Sequence, residues 1–387
     1  MKKKGKKPRS VCDAVASAAA DIELAQRLAA WFGREARDLP WRRVDKGGHR
    51  DAWRSLVSEV MLQQTQVSRV LEKYGPFIER FPTPAAMADA GEGVVLALWS
   101  GMGYYRRARM LFAAATEIVG RFGGRVPSDV AELRSLPGIG RYTAGAVASI
   151  VFGKPEPIVD GNVSRVLLRI HGVEQSALEG SAWCWERAAE LAVAAGTEVA
   201  AFNEGMMELG AVVCTPRSPR CGVCPVAGVC RAKRSGKQEE IPTPKTAAKR
   251  SVLRCEVVVV RDGRGRLLVE RRGAKGMWAG LWQAPTVERP HAESAMPTRE
   301  VLEMLGLPVT RATAGSAFAF VHQTTHREVL FSAIAVAVDA KAAQNVVKVP
   351  EGHSAVERRW VGESDLAGLG LSNAQKRILT REPDLFG

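Results

Sequence analysis

The sequence predicts a multidomain chain: a mostly α-helical body, a short basic linker and a C-terminal α/β body. Three observations carry this. The length of 387 residues suits two or three domains at about 150 residues each. Residues 21–230 repeat apolar positions at helical spacing, whereas residues 251–387 open on the β-branched run Leu253–Arg261. Between them, residues 231–250 combine seven basic side chains with Pro242 and Pro244, the make-up of a stiff, extended connection.

The helical body carries start and stop signals. Thr83 before Pro84 reads as a cap followed by a first-turn proline. Ser128 is positioned to cap Asp129–Ser135. Arg106–Val119 is a long amphipathic stretch that should end at Gly120. In the second body, Asp262-Gly263 turns the first strand into a partner at Arg266–Arg271. Pro297–Leu305 suits a helix and Val329–Val338 another strand. No apolar run reaches the 18 residues expected of a spanning helix.

The formal charge is +14, which favours a polyanionic partner, most simply nucleic acid. It is unevenly spread. Residues 1–10 carry +6, residues 11–230 sum to zero, residues 231–250 carry +5 and residues 251–387 carry +3. Residues 1–20 therefore read as a basic disordered tail and 231–250 as a basic linker, either solvated or touching DNA.

Four of the seven cysteines form Cys214-x6-Cys221-x2-Cys224-x5-Cys230 in a Pro/Gly-rich loop. A soft sulfur set of this kind suits zinc or an iron–sulfur cluster, and spacing alone does not separate them. Disulfides are the weaker alternative, because nothing marks the chain as secreted.

Leu136-Pro137-Gly138-Ile139-Gly140-Arg141-Tyr142 joins two predicted helices. Amides at Gly138 and Gly140, with the following helix N-terminus, suit a phosphate and would fix a DNA backbone without reading sequence. Val159-Asp160-Gly161-Asn162 follows about one helix later, with Asp160 where a helix should start.

These segments together resemble the helix–hairpin–helix DNA glycosylase superfamily, in which the cysteine loop holds a [4Fe–4S] cluster. The resemblance thus implies Cys214, Cys221, Cys224 and Cys230 as cluster ligands. Members similar to endonuclease III place a nucleophilic lysine where Tyr142 stands, so a monofunctional enzyme is expected. Trp53–Val67, with Glu59 and Gln63-Gln64-Thr65, and Gly101-Met102-Gly103-Tyr104-Tyr105 resemble adenine DNA glycosylases of the MutY type. That resemblance implies hydrolysis of the N-glycosidic bond of adenine mispaired with 8-oxoguanine or guanine. Duplex DNA bearing such mispairs is the partner, and a monomer in the cytoplasm, on the nucleoid in a bacterium, is expected.

The chemistry explains the residue types. Adenine leaves only when a ring nitrogen is protonated, so the acid must hold its proton near neutrality through burial. The resemblance gives this part to Glu59. The departure of adenine leaves an oxocarbenium-like sugar that a carboxylate stabilises, as in glycosidases; Asp160 is the candidate, and the resemblance implies Tyr142 and Asn162 bonding around it. The resemblance implies that the flipped base is received by Arg37, Trp41, Arg42 and Glu204. Gln63, Gln64 and Thr65 resemble the loop that enters the duplex, and Tyr104 the wedge beside 8-oxoguanine.

Gly276–Pro285 and Arg299–Leu307 resemble a Nudix-like fold, which in this family recognises 8-oxoguanine. Met304 and His291 stand where metal-binding glutamates are usual, so pyrophosphate hydrolysis is not expected. Thr324-Thr325-His326 aligns with the sensing triplet Phe-Ser-His; Thr325 and His326 keep a hydroxyl and an imidazole, and Thr324 loses the aromatic ring. The division expected is tail 1–20, helical glycosylase domain 21–230 with its loop at 214–230, linker 231–250, and recognition domain 251–387. Hold on DNA is expected from the hairpin amides with Arg106, Arg107, Arg109, Arg141 and Arg165. Two other readings are an endonuclease III-like lyase and a non-catalytic iron–sulfur DNA-binding protein.

Overall fold

A computed structural model describes residues 11–244, 250–291, 294–308 and 318–380. The helical part runs α1 (Val11–Glu35), α2 (Ala52–Leu62), α3 (Val67–Arg80), α4 (Pro84–Ala90), α5 (Glu92–Leu98), α6 (Arg106–Phe122), α7 (Val130–Ser135), α8 (Arg141–Ile150), α9 (Gly161–His171), α10 (Ser181–Ala195), α11 (Val199–Val212) and α12 (Arg231–Arg234). Strands follow as β1 (Ser251–Asp262), β2 (Leu267–Arg272), β3 (Trp282–Gln283), β4 (Thr286–Pro290), β5 (Phe318–Gln323), β6 (Arg327–Val338) and β7 (Ala355–Val361). Their helices are α13 (Thr298–Met304), α14 (Ala340–Asn345), α15 (Glu363–Leu366) and α16 (Asn373–Thr380).

The helical and α/β bodies are as expected, and several boundaries move for physical reasons. The cap of α7 is Asp129 rather than Ser128: its carboxylate accepts from the amides of Ala131 and Glu132. Helix α6 passes Gly120 and stops before Gly123 and Gly124, both at positive φ. Helix α1 reaches back into the stretch expected as a tail. Helix α1 begins at Val11, consistent with the high helix propensity of Ala14, Ala16, Ala18, Ala19 and Ala20; residues 1–10 lie outside the described ones. The linker is shorter than expected. Ala232 and Ile241 are buried in the helical core and Lys237 pairs with Glu174 at 2.5 Å, so residues 231–244 belong to that core; residues 245–249 lie outside the described ones.

The chain forms two compact units, and they interleave. The first takes residues 1–64, 82–85 and 113–246; the second takes 65–81, 86–112 and 247–387. In the first, α1, α9, α10 and α11 bury Leu28, Trp31, Val166, Leu167, Leu191 and Phe202 together. Gly210 on α11 is required there, since a Cβ would lie 2.6 Å from the Cβ of Asn162 on α9.

In the second unit, seven strands form one sheet in the order β3-β2-β1-β6-β5, with β4 against β1 and β7 against β2. Strands β1 and β6 run parallel over their whole length. That placement buries both faces of β1, which explains its continuous apolar run. Leu253, Cys255, Val257 and Val259 face one cluster with Ile378 and Leu379 of α16. Val258 and Val260 face another with Val301 and Leu302 of α13. Helices α3 and α5 and the start of α6 belong to this unit: Tyr105 Oη donates to the Leu371 carbonyl at 2.6 Å and Ser100 Oγ to the same oxygen at 3.0 Å.

Candidate active site

Helix α2 offers Glu59 from an otherwise apolar surface of Leu56, Val57, Val60 and Met61. Desolvation pushes its pKa up from 4.5 to about 7. A hydrogen bond with Tyr142 and the charge of Arg42 oppose the rise, while Glu204 and Asp160 add to it. Burial and the neighbouring Glu59 and Asp160 hold the Tyr142 phenol well above its ordinary value. Tyr142 Oη also reaches Met207 Sδ at 3.0 Å. A neutral Glu59 can therefore donate to Tyr142 while the phenol turns its proton to sulfur.

Asp160 does cap α9, its Oδ1 accepting from the Val163 amide at 2.7 Å. It is also within electrostatic reach of Glu59 and Tyr142, so one carboxylate serves both as cap and in the cluster. Burial pushes its pKa up, against these backbone hydrogen bonds. Asn162 Nδ2 donates to Asp160 Oδ2 at 3.3 Å. The hairpin that precedes α8 keeps Leu136 and Ile139 inside and Gly138 and Gly140 exposed, with Gly138 at φ +75. That conformation asks for glycine.

Of the four residues expected around the base, Arg42 and Glu204 lie within electrostatic reach of Glu59, and Arg37, Arg50 and Glu208 join them in one ion-pair network. Trp41 is buried on the short 3₁₀ turn Pro40–Arg42. Arg37 binds Glu208 through Nε (2.6 Å) and Nη2 (2.9 Å). Arg42 spans both carboxylates of α11, with Nε to Glu204 at 3.2 Å and Nη2 to Glu208 at 2.8 Å. Arg50 grips Glu204 with both Nη atoms, at 3.2 and 2.7 Å. Burial would raise the Glu208 pKa, but Arg37 and Arg42 bring it down to about 2. Glu208 could have been found from its i, i+4 spacing to Glu204 on a largely apolar helix. Arg50 had no signal, because it sits in the loop between η-turn and α2.

Two of the residues expected at the lesion are held at positive φ, Gln64 at +53 and Tyr104 at +47. Non-glycine residues rarely adopt this region, and such strain gathers at functional sites. Gln63 Nε2 donates to Thr143 Oγ1 at 3.0 Å. In the second unit, the Tyr104 and Thr325 hydroxyls are hydrogen-bonded. Thr325 and His326 lie in the β5–β6 turn, and Thr324 closes it: its Oγ1 accepts from the Arg327 amide at 3.0 Å. The hydroxyl at 324 thus has a turn-forming job that a phenylalanine would not do. On α13, Arg299 pairs with Glu303 at 2.9 Å and Met304 is 53% exposed.

Of the five arginines expected on DNA, Arg106 and Arg141 are exposed, and Arg141 stacks 3.9 Å from the Trp185 ring centre. Arg109 is drawn to Glu92 and the Ala274 carbonyl. Arg165 is turned inward, which corrects its expected role: Nε donates to Cys214 O, and Nη2 to Asn162 Oδ1 and Gly210 O, each at 2.8 Å. A guanidinium with these acceptors already in place is committed to the interior. Arg107 is likewise engaged internally.

Cys214, Cys221, Cys224 and Cys230 line one cavity with Val166, Ile170 and Leu209. Arg169, 2% exposed, secures it, donating to Ile241 O at 2.7 Å, Thr215 O at 2.7 Å and Cys214 Sγ at 3.4 Å. A zinc ion with bonds of about 2.3 Å would draw four sulfurs to within about 4 Å of one another. Among the described residues no three such ligands converge on a single-ion site. The four thiols line the same cavity and form an all-sulfur donor set, the chemistry that suits an iron–sulfur group. No described helix is long and apolar enough to cross a membrane.

Comparison with known proteins agrees with this geometry. Residues 57–187 match the HhH-GPD superfamily base excision DNA repair protein model, residues 214–230 the iron–sulfur binding domain of endonuclease III, and residues 256–381 the NUDIX domain. The chain is 32% identical over 403 residues to adenine DNA glycosylase of Homo sapiens, covering 91% of this chain and 72% of that one. It is 45% identical over 210 residues to adenine DNA glycosylase of Mycolicibacterium smegmatis, covering 54% and 69%. A solved thermostable thymine-DNA glycosylase covers 57% of the chain and is itself 99% covered, at 28% identity and a TM-score of 0.50.

Proposed function

The chain belongs to the adenine DNA glycosylases of base excision repair, with an iron–sulfur loop and a Nudix-type C-terminal domain, and from that premise we propose a substrate and a mechanism. It hydrolyses the N-glycosidic bond of adenine opposite 8-oxoguanine or guanine in duplex DNA, without strand cleavage, as a cytoplasmic monomer. The observation that carries this reading is Glu59 buried to a pKa of about 7 beside Tyr142 and Asp160.

Glu59 arrives protonated and gives its proton to a ring nitrogen of the flipped adenine. Tyr142 receives the hydrogen bond of the neutral acid and, in place of a lysine, offers no amine for a lyase step. Asp160, fixed by the Val163 amide and Asn162, faces the positive charge that develops on the sugar. Water then completes an abasic site. Glu204 accepts from the exocyclic amine, Trp41 supplies an apolar wall, and Arg37 and Arg42 hold the pocket's shape through Glu208. Gln63, Gln64, Thr65 and Tyr104 enter the duplex, the Gly138 and Gly140 amides hold a phosphate, and Thr325 and His326 face 8-oxoguanine.

Cys214, Cys221, Cys224 and Cys230 hold the iron–sulfur group, which we assign as [4Fe–4S]; it supplies structure to the loop rather than a reacting atom. Arg165 links that loop to Asn162, so the order of one supports the order of the other.

A duplex with a single A:8-oxoguanine pair tests the reading. Strand breaks that need hot alkali are expected. Breaks without alkali would establish a lyase, and binding with no breaks a non-catalytic protein.

A further inference from the structure

Thr65, Tyr104 and Thr325 lie on three separate stretches of the second unit: the approach to α3, the turn before α6 and the β5–β6 hairpin. Arg107, in the first turn of α6, connects the first two. Its Nη2 donates to Thr65 Oγ1 at 2.8 Å and to the Gly103 carbonyl at 3.3 Å. Its guanidinium lies 5.2 Å from the Trp99 ring centre and 5.5 Å from that of Tyr104. Trp99 is fully buried and donates Nε1 to the same Gly103 carbonyl at 3.0 Å. The stack therefore has a fixed base (Trp99), a middle (Arg107) and an exposed tip, Tyr104, whose hydroxyl meets that of Thr325.

The tip needs this support. Tyr104 is 44% exposed and sits at φ +47. A tyrosine in that region tends to relax to negative φ, which would swing the ring away, at a gain of order 1 kcal/mol or more. Hydrogen bonds from a charged donor and stacking on the ring face are large enough to oppose this.

We propose that Arg107 is a positioning residue that joins the Thr65 loop and the Tyr104 wedge into one reader, latched at its tip to Thr325, and thereby sets discrimination between A:8-oxoguanine and A:G pairs. This rests on the DNA-facing roles proposed above. It also reassigns Arg107, which the sequence suggested as a phosphate contact. Burial lowers its pKa to about 10, which leaves it charged at neutrality but spent on internal acceptors.

The experiment uses the full chain and its variants Arg107→Gln and Arg107→Lys. Duplexes carry A:8-oxoguanine or A:G, each with 2-aminopurine beside the oxidised or normal guanine, so that fluorescence rises when the wedge breaks stacking. Both variants should lower the ratio of the two single-turnover rates by about tenfold, as expected for losing one charged hydrogen bond, and should blunt the fluorescence rise at saturating protein. The salt slope of binding should stay unchanged. An unaltered ratio, or equal slowing of both duplexes with a full fluorescence rise, overturns the proposal. So does a salt slope smaller by about one phosphate, the mark of a backbone contact. Should the wild type not separate the two mispairs, the substrate reading fails, and the fluorescence rise alone judges the strut. Thr65→Val removes the same hydrogen bond from its other end and must reproduce the loss, which covers the case of an unfolded Arg107 variant.

Discussion

Replacing Glu59 with glutamine should make the protein more stable in alkaline solution while silencing it. The carboxyl pKa rises from 4.5 to about 7 on folding, which corresponds to about 3 kcal/mol of preference for the neutral acid. The folded state thus binds more protons than the unfolded one between these pH values, and the wild type loses stability as pH rises through that window. Above pH 7 the full cost of a buried carboxylate is present; below pH 4.5 it is absent. Glutamine resembles the neutral acid at every pH. Chemical denaturation of both proteins should give equal stabilities near pH 4.5 and a variant advantage of about 3 kcal/mol at pH 8.5. Thermal melting should show the same trend, at roughly 2–4 °C per kcal/mol for a unit of this size. A difference that does not change with pH would refute the idea that Glu59 is kept neutral by its surroundings.

Four further outcomes are expected. Single-turnover base release should be level below pH 6 and fall about tenfold per pH unit well above 7, as Glu59 loses its proton; a rate that rises through this range would contradict a general acid. Asp160→Asn should bind the mispaired duplex yet release no base, because the neutral amide cannot meet the sugar's positive charge; near-normal release in rapid-quench assays would remove it from the mechanism. Arg169→Gln gives up most of the hydrogen bonds to Ile241, Thr215 and Pro216, a loss of about 3 kcal/mol or more in a buried setting, so iron should escape faster to a chelator; unchanged iron retention would argue otherwise. Deleting residues 1–10, with their six basic side chains, should flatten the salt dependence of DNA affinity without altering single-turnover base release.

Much of the fold was legible because local chemistry decides it. A strand buried on both faces has to be continuously apolar, so Val257–Val260 could be read without knowing its neighbours. Asp160 announced both an N-terminus and a carboxylate after the hairpin. What stayed hidden depends on distant partners. Arg165 and Arg169 look like surface arginines in the sequence, and acceptors distant in the chain, among them carbonyls of the cysteine loop, turn them inward. Arg50 joins the ion-pair network of α11 because Glu204, more than 150 residues later, accepts from it. Ser128 is the expected cap of α7, and Asp129 takes that place because its carboxylate reaches two amides.

The family matches follow the chain in order, as though two modules had been joined end to end. The compact units do not. Tyr105 and Ser100, from the first module, bond to the Leu371 carbonyl, and a Cβ at Gly370 would meet Leu96 at 3.0 Å. A chain cut short in its last third would therefore lose more than its Nudix-type domain. The turn that carries Ser100, Tyr104 and Tyr105 would lose its anchor at Leu371. Truncation there removes the Leu371 carbonyl that accepts from Tyr105 and Ser100, so its effect is felt in the helical part of the chain as well.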